Sequence, residues 1–221
     1  MKLDEVARLD ELSFVNKGIT TYLHAKGFKK LGSGVDVTAY LAPTGHVLKI
    51  FGYDDEEDDD YDHGQQVQKK WTPKNLSRSQ NMFIQYAQFC ANNSKNPYLP
   101  RFGKGRGGKV WAPFVFKNKT YLQIWQERLY PAKIKGTFLA AMADGIDNGQ
   151  AMEDFLSEVE EYGWKKRMTI AFPSDAAFAL CWHTLEKLNR IADDHNFMWD
   201  MHNENFMCRA DGTPVIVDPW H

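Results

Sequence analysis

The chain has 221 residues, and its 27 Lys and Arg against 29 Asp and Glu give a formal net charge of −2. That balance excludes a global field for nucleic acid or a membrane surface, and direct nucleic-acid binding is not expected. Hydrophobic residues at 43% and aromatics at 14% exclude a disordered chain and suffice for one large domain or two small lobes.

Residues 2–26 carry Leu9, Leu12, Val15, Ile19, Tyr22 and Leu23 at helical spacing, which predicts one helix or two, broken at Gly18 and capped by Gly27. Three strands are predicted next: Phe28–Leu31 running into Gly32-Ser33-Gly34, then Val37–Leu41, then His46–Phe51 after a Pro43-Thr44-Gly45 turn. Seven consecutive carboxylates at 54–60 repel one another and predict an exposed loop. A helix is expected over 79–93, with Phe83, Tyr86, Ala87 and Cys90 as its apolar stripe. Phe102 to Phe116 reads as a hairpin around the basic, Gly-rich tip Gly103–Gly108, and Tyr121–Gln126 as a strand from which Pro131 breaks away.

After Pro131 the pattern turns helical. Phe138–Ala143 predicts a short piece and Met152–Tyr162 an acidic amphipathic helix. Ala176–His195 carries the strongest helical pattern, with Phe178, Cys181, Trp182, Leu185, Leu188 and Ala192 on one face and Pro173-Ser174-Asp175 as its start signal. A short hairpin turning at Asp211-Gly212 follows. The cysteines Cys90, Cys181 and Cys208 are odd in number and far apart, which fits neither a disulfide framework nor a zinc ribbon. No apolar run reaches the roughly 18 residues of a spanning helix, and Met1-Lys2-Leu3-Asp4-Glu5 has no apolar signal core. A soluble, cytoplasmic protein is expected.

The chemistry concentrates in Asp200-Met201-His202-Asn203-Glu204-Asn205 and in Asp218, which follows the β-branched run Val215-Ile216-Val217. Phosphoryl transfer to a hydroxyl needs a carboxylate beside the acceptor oxygen and oxygen ligands for a magnesium that neutralises phosphate charge. Asp200 suits the first role, and Asn205 and Asp218 the second. His202 is a candidate to hydrogen-bond the transferring group, or simply a loop residue bonding the backbone. Lys49 stands in Val47-Leu48-Lys49-Ile50-Phe51, where an ammonium is costly to bury unless it meets an anion. A nucleotide phosphate fits; the other reading puts Lys49 on the exposed side of a half-buried strand.

Taken together these residues resemble the protein-kinase fold. Leu31-Gly32-Ser33-Gly34 is similar to the start of the Gly-rich loop, with Val37 where a third glycine usually falls, and Val47-Leu48-Lys49 to the strand bearing the phosphate-binding lysine. Glu127-Arg128-Leu129 falls where a hinge to the adenine would lie. Asp200 to Asn205 resembles the catalytic loop, and Asp218 the metal aspartate, followed here by Pro219-Trp220. Gly27 to Tyr40, Val47 to Gly52, and Asp200 through Pro219 look like the kinase domain of the early serine/threonine protein kinases of T-seven-type bacteriophages. That family phosphorylates host proteins and itself, and helps to switch off host transcription.

The resemblance implies an α+β, two-lobed protein. An N-terminal helix and a lobe with a five-stranded antiparallel sheet would occupy 1–130. A truncated, mostly helical C-lobe would occupy 131–221, since the sequence stops three residues after Asp218. It implies ATP and Mg2+ as cofactors and a host protein as substrate or target. Asp200, His202 and Lys49 would be catalytic. Gly32, Ser33, Gly34, Lys49, Glu127 and Leu129 would hold the nucleotide, and Asn205 and Asp218 the metal.

Three departures stand out. The helix at 79–93 has no Glu or Asp to pair with Lys49, so that Gln85, Gln88 or a carboxylate from 54–60 would have to substitute. Met198-Trp199 replaces the usual His-Arg before the catalytic Asp, and no activation segment follows Asp218. Two other readings therefore stay open: a kinase-shaped protein that binds and inhibits a host enzyme without catalysis, and a small-molecule kinase, to which the Asp-x-His-x-x-Asn form is also similar.

Overall fold

A computed structural model of the chain describes residues 18–33, 37–51, 78–103, 108–116, 119–132 and 134–220. The predicted first helix up to residue 17, the acidic run at 54–60, Gly34, and the basic tip residues Lys104 and Arg106 lie outside them. The described residues divide into two compact units. One contains those up to Asn92 together with Arg101–Arg128, and the other contains Asn93–Pro100 and those from Leu129 onward. Among the described residues no helix is long and apolar enough to cross a membrane.

The first unit is built on a five-stranded antiparallel sheet. Its strands are β1 (Lys29–Ser33), β2 (Val37–Leu41), β3 (Val47–Phe51), β4 (Trp111–Phe116) and β5 (Lys119–Gln126), in the order β1-β2-β3-β5-β4. The register aligns Tyr40, Leu48 and Trp125 in one row and Ala39, Lys49 and Ile124 in the next. Because side chains alternate along a strand, these rows face opposite ways. The Tyr40 face, with Ile50, Phe114, Phe116 and Tyr121, is covered by Ile19, Tyr22 and Leu23 of helix α1 (Ile19–Ala25) and by Phe28. The Lys49 face meets helix α2 (Arg78–Asn92) through Phe51 and Phe83, whose rings are 4.9 Å apart. Tyr86, Ala87 and Cys90 of the predicted α2 stripe are buried. Pro113 is tolerated because β4 is an edge strand.

Gly27 ends α1 as the sequence suggests. Its φ is +82°, its N–H reaches the His24 carbonyl at 2.9 Å, and the Phe28 N–H reaches that of Leu23 at 3.0 Å. A Cβ at Gly27 would also stand 3.1 Å from Pro43 Cγ. Gly27→Ala is therefore expected to destabilise the first unit by about 1–2 kcal/mol, the cost of left-handed backbone for an L side chain. Urea unfolding would reveal this as a lower midpoint with an unchanged slope, and an unmoved midpoint would refute it.

One hairpin expectation is corrected. The Gly-rich stretch does not join the two paired strands. β4 and β5 pair with each other across residues 117–118, from Phe116↔Lys119 to Trp111↔Ile124. Phe102 instead makes a single bridge to Gln126, and the Gly103 N–H bonds the Trp125 carbonyl at 2.9 Å.

The second unit is mostly helical: α3 (Ile134–Asp147), α4 (Met152–Glu161), α5 (Lys165–Ala171) and α6 (Asp175–His195). The expected short piece at 138–143 is thus a helix of 14 residues, and α5 was not anticipated. Ser174 caps α6, its Oγ accepting the Ala177 N–H at 3.2 Å. The α6 face carrying Phe178, Trp182, Leu185 and Leu188 is buried, and Trp182 lies against Phe155 and Phe178 at ring distances of 5.3 and 6.0 Å. A three-stranded sheet completes the unit. In it β6 (Tyr130–Pro131) pairs with β7 (Phe206–Cys208), and β7 with β8 (Pro214–Ile216). Pro131 therefore lies within a strand, at the edge of the three-stranded sheet, where a residue without an N–H is tolerated.

Candidate functional site

The end of α6 launches the site. Asn196 takes φ +54°, so the helix closes with the Phe197 N–H on the Ala192 carbonyl at 2.8 Å, and the chain turns back. Trp199 then bridges Trp220, and the Trp220 indole N–H donates to the Leu188 carbonyl of α6 at 3.2 Å. Both ends of the motif are thereby fastened to one helix.

Between these anchors hydrogen bonds join Asp200 and Asn205 to each other and to the residues on either side of Asp218. The Asp200 N–H donates to the Pro219 carbonyl at 3.0 Å, and the Val217 N–H to the Asn205 carbonyl at 2.8 Å. The Asn205 side chain closes the loop by donating from Nδ2 to the Asp200 carbonyl. A backbone carbonyl can only accept, so this contact fixes which end of the amide is NH2 and leaves Oδ1 as the end that could face a cation. Asp218 has φ +45° and, with Asn196, is one of two non-glycine residues with left-handed backbone among those described. Such backbone costs free energy and collects at functional sites. The Asp200 side chain is 42% exposed.

This donor set fits magnesium. Mg2+ takes hard oxygen ligands, often one or two carboxylates, with phosphate oxygens and water completing its shell. Asp218 and Asn205 Oδ1 are of that kind. Among the described residues no group of three or more His, Cys, Asp and Glu could hold a metal alone, so a cation here would depend on the amide and on phosphate oxygens.

His202 has a backbone role. Its Nδ1 accepts the Glu204 N–H at 3.2 Å and caps the single 3-10 turn Asn203–Asn205. An N–H only donates, so the ring proton of the neutral imidazole sits on Nε2, which lies 3.9 Å from Asp200 Oδ1. The loop-residue alternative describes Nδ1; Nε2 stays on the Asp200 side.

Lys49 belongs to the first unit. It is the half-buried residue of a central strand whose other four are buried. A solvent-facing lysine on a half-buried strand does not describe it, since both faces of β3 are covered. Its Nζ stands 4.4 Å from the centre of the Phe83 ring on α2, a cation–π contact. Gln88 Nε2 donates to Asn92 Oδ1 at 3.1 Å.

Gly32 and Ser33 close β1, with a register shift between Lys30 and Gly32, and Ser33 Oγ lies 3.1 Å from Thr38 Oγ1. Nothing stands within 4 Å of a Cβ at Gly32. Glu127 is tied to Arg101, its carboxylate accepting the Arg101 N–H at 2.8 Å and its own N–H donating back at 2.9 Å. Leu129 is buried in the second unit with Val215 and Val217, beside Met207. Glu127 thus belongs to the first unit and Leu129 to the second.

Sequence reasoning missed Asn196 and Trp220. An Asn directly after a long helical pattern was the signal for the first. The second, a residue just past Asp218, carried none. No protein-family model matches the chain, and neither the curated proteins nor the solved structures include a significant match to it.

Proposed function

We propose that the protein is an ATP- and magnesium-dependent phosphotransferase of protein-kinase-like fold, acting on Ser or Thr hydroxyls of host proteins in the manner of the phage kinases. The observation that supports this reading is the hydrogen bonding of Asp200 to Pro219 and of Asn205 to Val217 and Asp200, which holds the backbone on either side of Asp218 beside the other two residues. In this reading Asp200 orients the acceptor hydroxyl and takes its proton as the new oxygen–phosphorus bond forms and ADP departs. Asn205 and Asp218 hold the cation, which when bound offsets charge on the phosphates. Lys49, whose Nζ lies over the Phe83 ring, supplies the phosphate-binding ammonium. His202 positions the loop through its bond to the Glu204 N–H and can offer its Nε2 proton to a phosphoryl oxygen.

The test is incubation of the purified chain with γ-labelled ATP, magnesium and bacterial lysate. Label on protein Ser or Thr is the expected result. Lys49→Ala is expected to cost about 10–100-fold in kcat/KM, mostly through nucleotide affinity. Label confined to a small molecule would reassign the substrate, and no ATP turnover at all would overturn the proposal.

A further inference from the structure

A concave surface lies within the helical unit, on residues the phosphotransfer reading does not use. It is a cavity of about 600 Å³. One wall is the β7–β8 turn, and the other runs along the end of α5 and the first turns of α6. The turn wall is firmly held. Arg209 donates from its guanidinium to the Pro97 and Leu99 carbonyls, the latter at 2.8 Å, and the Ile216 N–H bonds the Tyr98 carbonyl at 2.9 Å. Asp211 Oδ1 accepts the Thr213 N–H at 2.9 Å. The helix wall has alanines, Ala171, Ala176 and Ala177, where larger side chains would fill the space. Above them stand two aliphatic side chains out of place in water, Ile170 at 49% and Leu180 at 44% exposed.

Two polar features make this more than an apolar patch. Asp211 is the one charged side chain on the lining, and hydrogen bonds from Thr213 hold its carboxyl below the usual range, hence ionised. Tyr98 also lines the cavity. It is 4% exposed. Burial pushes its hydroxyl up to about 12, so it stays a neutral donor. An open trough with aliphatic walls, a buried donor and a single negative rim matches an extended polypeptide better than an enclosed small molecule.

We propose that this groove docks an extended segment of a partner protein bearing aliphatic side chains beside a Lys or Arg. The aliphatic groups cover Leu180 and Ile170, the cation meets Asp211, and a backbone carbonyl accepts from Tyr98. The site is separate from Asp200 and Asp218 and does not depend on phosphoryl transfer.

A random dodecapeptide display library panned on the full chain tests it, followed by fluorescence-anisotropy titration of the best enriched peptide. Enriched sequences should share aliphatic residues flanked by Lys or Arg. Leu180→Asp and Ile170→Asp, both at exposed positions, should each weaken binding about tenfold or more at unchanged melting temperature. Asp211→Asn keeps the acceptor for Thr213 and removes only the charge. It should weaken binding about threefold at low salt and not at all at high salt. Failure to enrich any peptide, or equal binding by all three variants, overturns the proposal. So does self-association of the parent chain that Leu180→Asp abolishes, because the occupant would then be a second copy.

Discussion

Replacing Asp218 by asparagine is expected to lower phosphoryl transfer roughly 10²–10³-fold while leaving the melting temperature nearly unchanged. The side chains have the same shape, and asparagine tolerates the left-handed backbone that Asp218 adopts at φ +45°, as Asn196 does at φ +54°. What disappears is the charge that a divalent cation would need. The loss should therefore appear as a shift in the magnesium dependence of the rate, with part of the activity regained at higher metal concentration. Asp200→Asn serves as the counterpart. Its carboxylate is assigned to the acceptor hydroxyl, so kcat should fall with little change in the magnesium requirement. Parental rates for Asp218→Asn across a magnesium titration would remove Asp218 from the metal. Identical profiles for the two variants would dissolve the distinction between base and ligand.

The same contrast shows which parts of the molecule could be read in advance. The terminal motif was legible because its parts are close in sequence, with a turn at Asp211-Gly212 and a β-branched strand leading to Asp218. Strands β2, β3 and β5, and helices α2, α4 and α6, were legible for a similar reason, each carrying its own period and stop signals. The β4–β5 hairpin was misplaced because the run of glycines before Lys109 is a louder turn signal than residues 117–118, where the strands join. Strand β6 is two residues long and exists through its partner β7, so nothing local announces it. The surroundings of Lys49 were illegible too. The sequence showed that α2 has no acid for Lys49, and nothing in it pointed to the face of Phe83 that the helix supplies. Leu129 could be assigned a nucleotide role from its place after β5, whereas its packing on Val215 and Val217 depends on contacts that no local pattern encodes.

Trp182→Ala should abolish activity by a different route, through the fold. The side chain is fully buried on α6 against Phe155 and Phe178. Removing so large an aromatic from a packed core costs about 3–5 kcal/mol, the transfer term plus the cavity left behind. Domains of this size are commonly stable by only about 5–15 kcal/mol, so the second unit would be left marginal. The site would suffer with it, since α6 carries the Ala192 carbonyl that accepts the Phe197 N–H and the Leu188 carbonyl that holds Trp220. Urea unfolding should show a midpoint far below that of the parent, and amides of α3, α4 and α6 should lose exchange protection together. Trp182→Phe, which leaves a smaller void, should recover much of both. If Trp182→Ala kept the parental midpoint while activity vanished, Trp182 would have a direct part in the chemistry. If it kept both, the anchoring of the catalytic segment by α6 would be refuted.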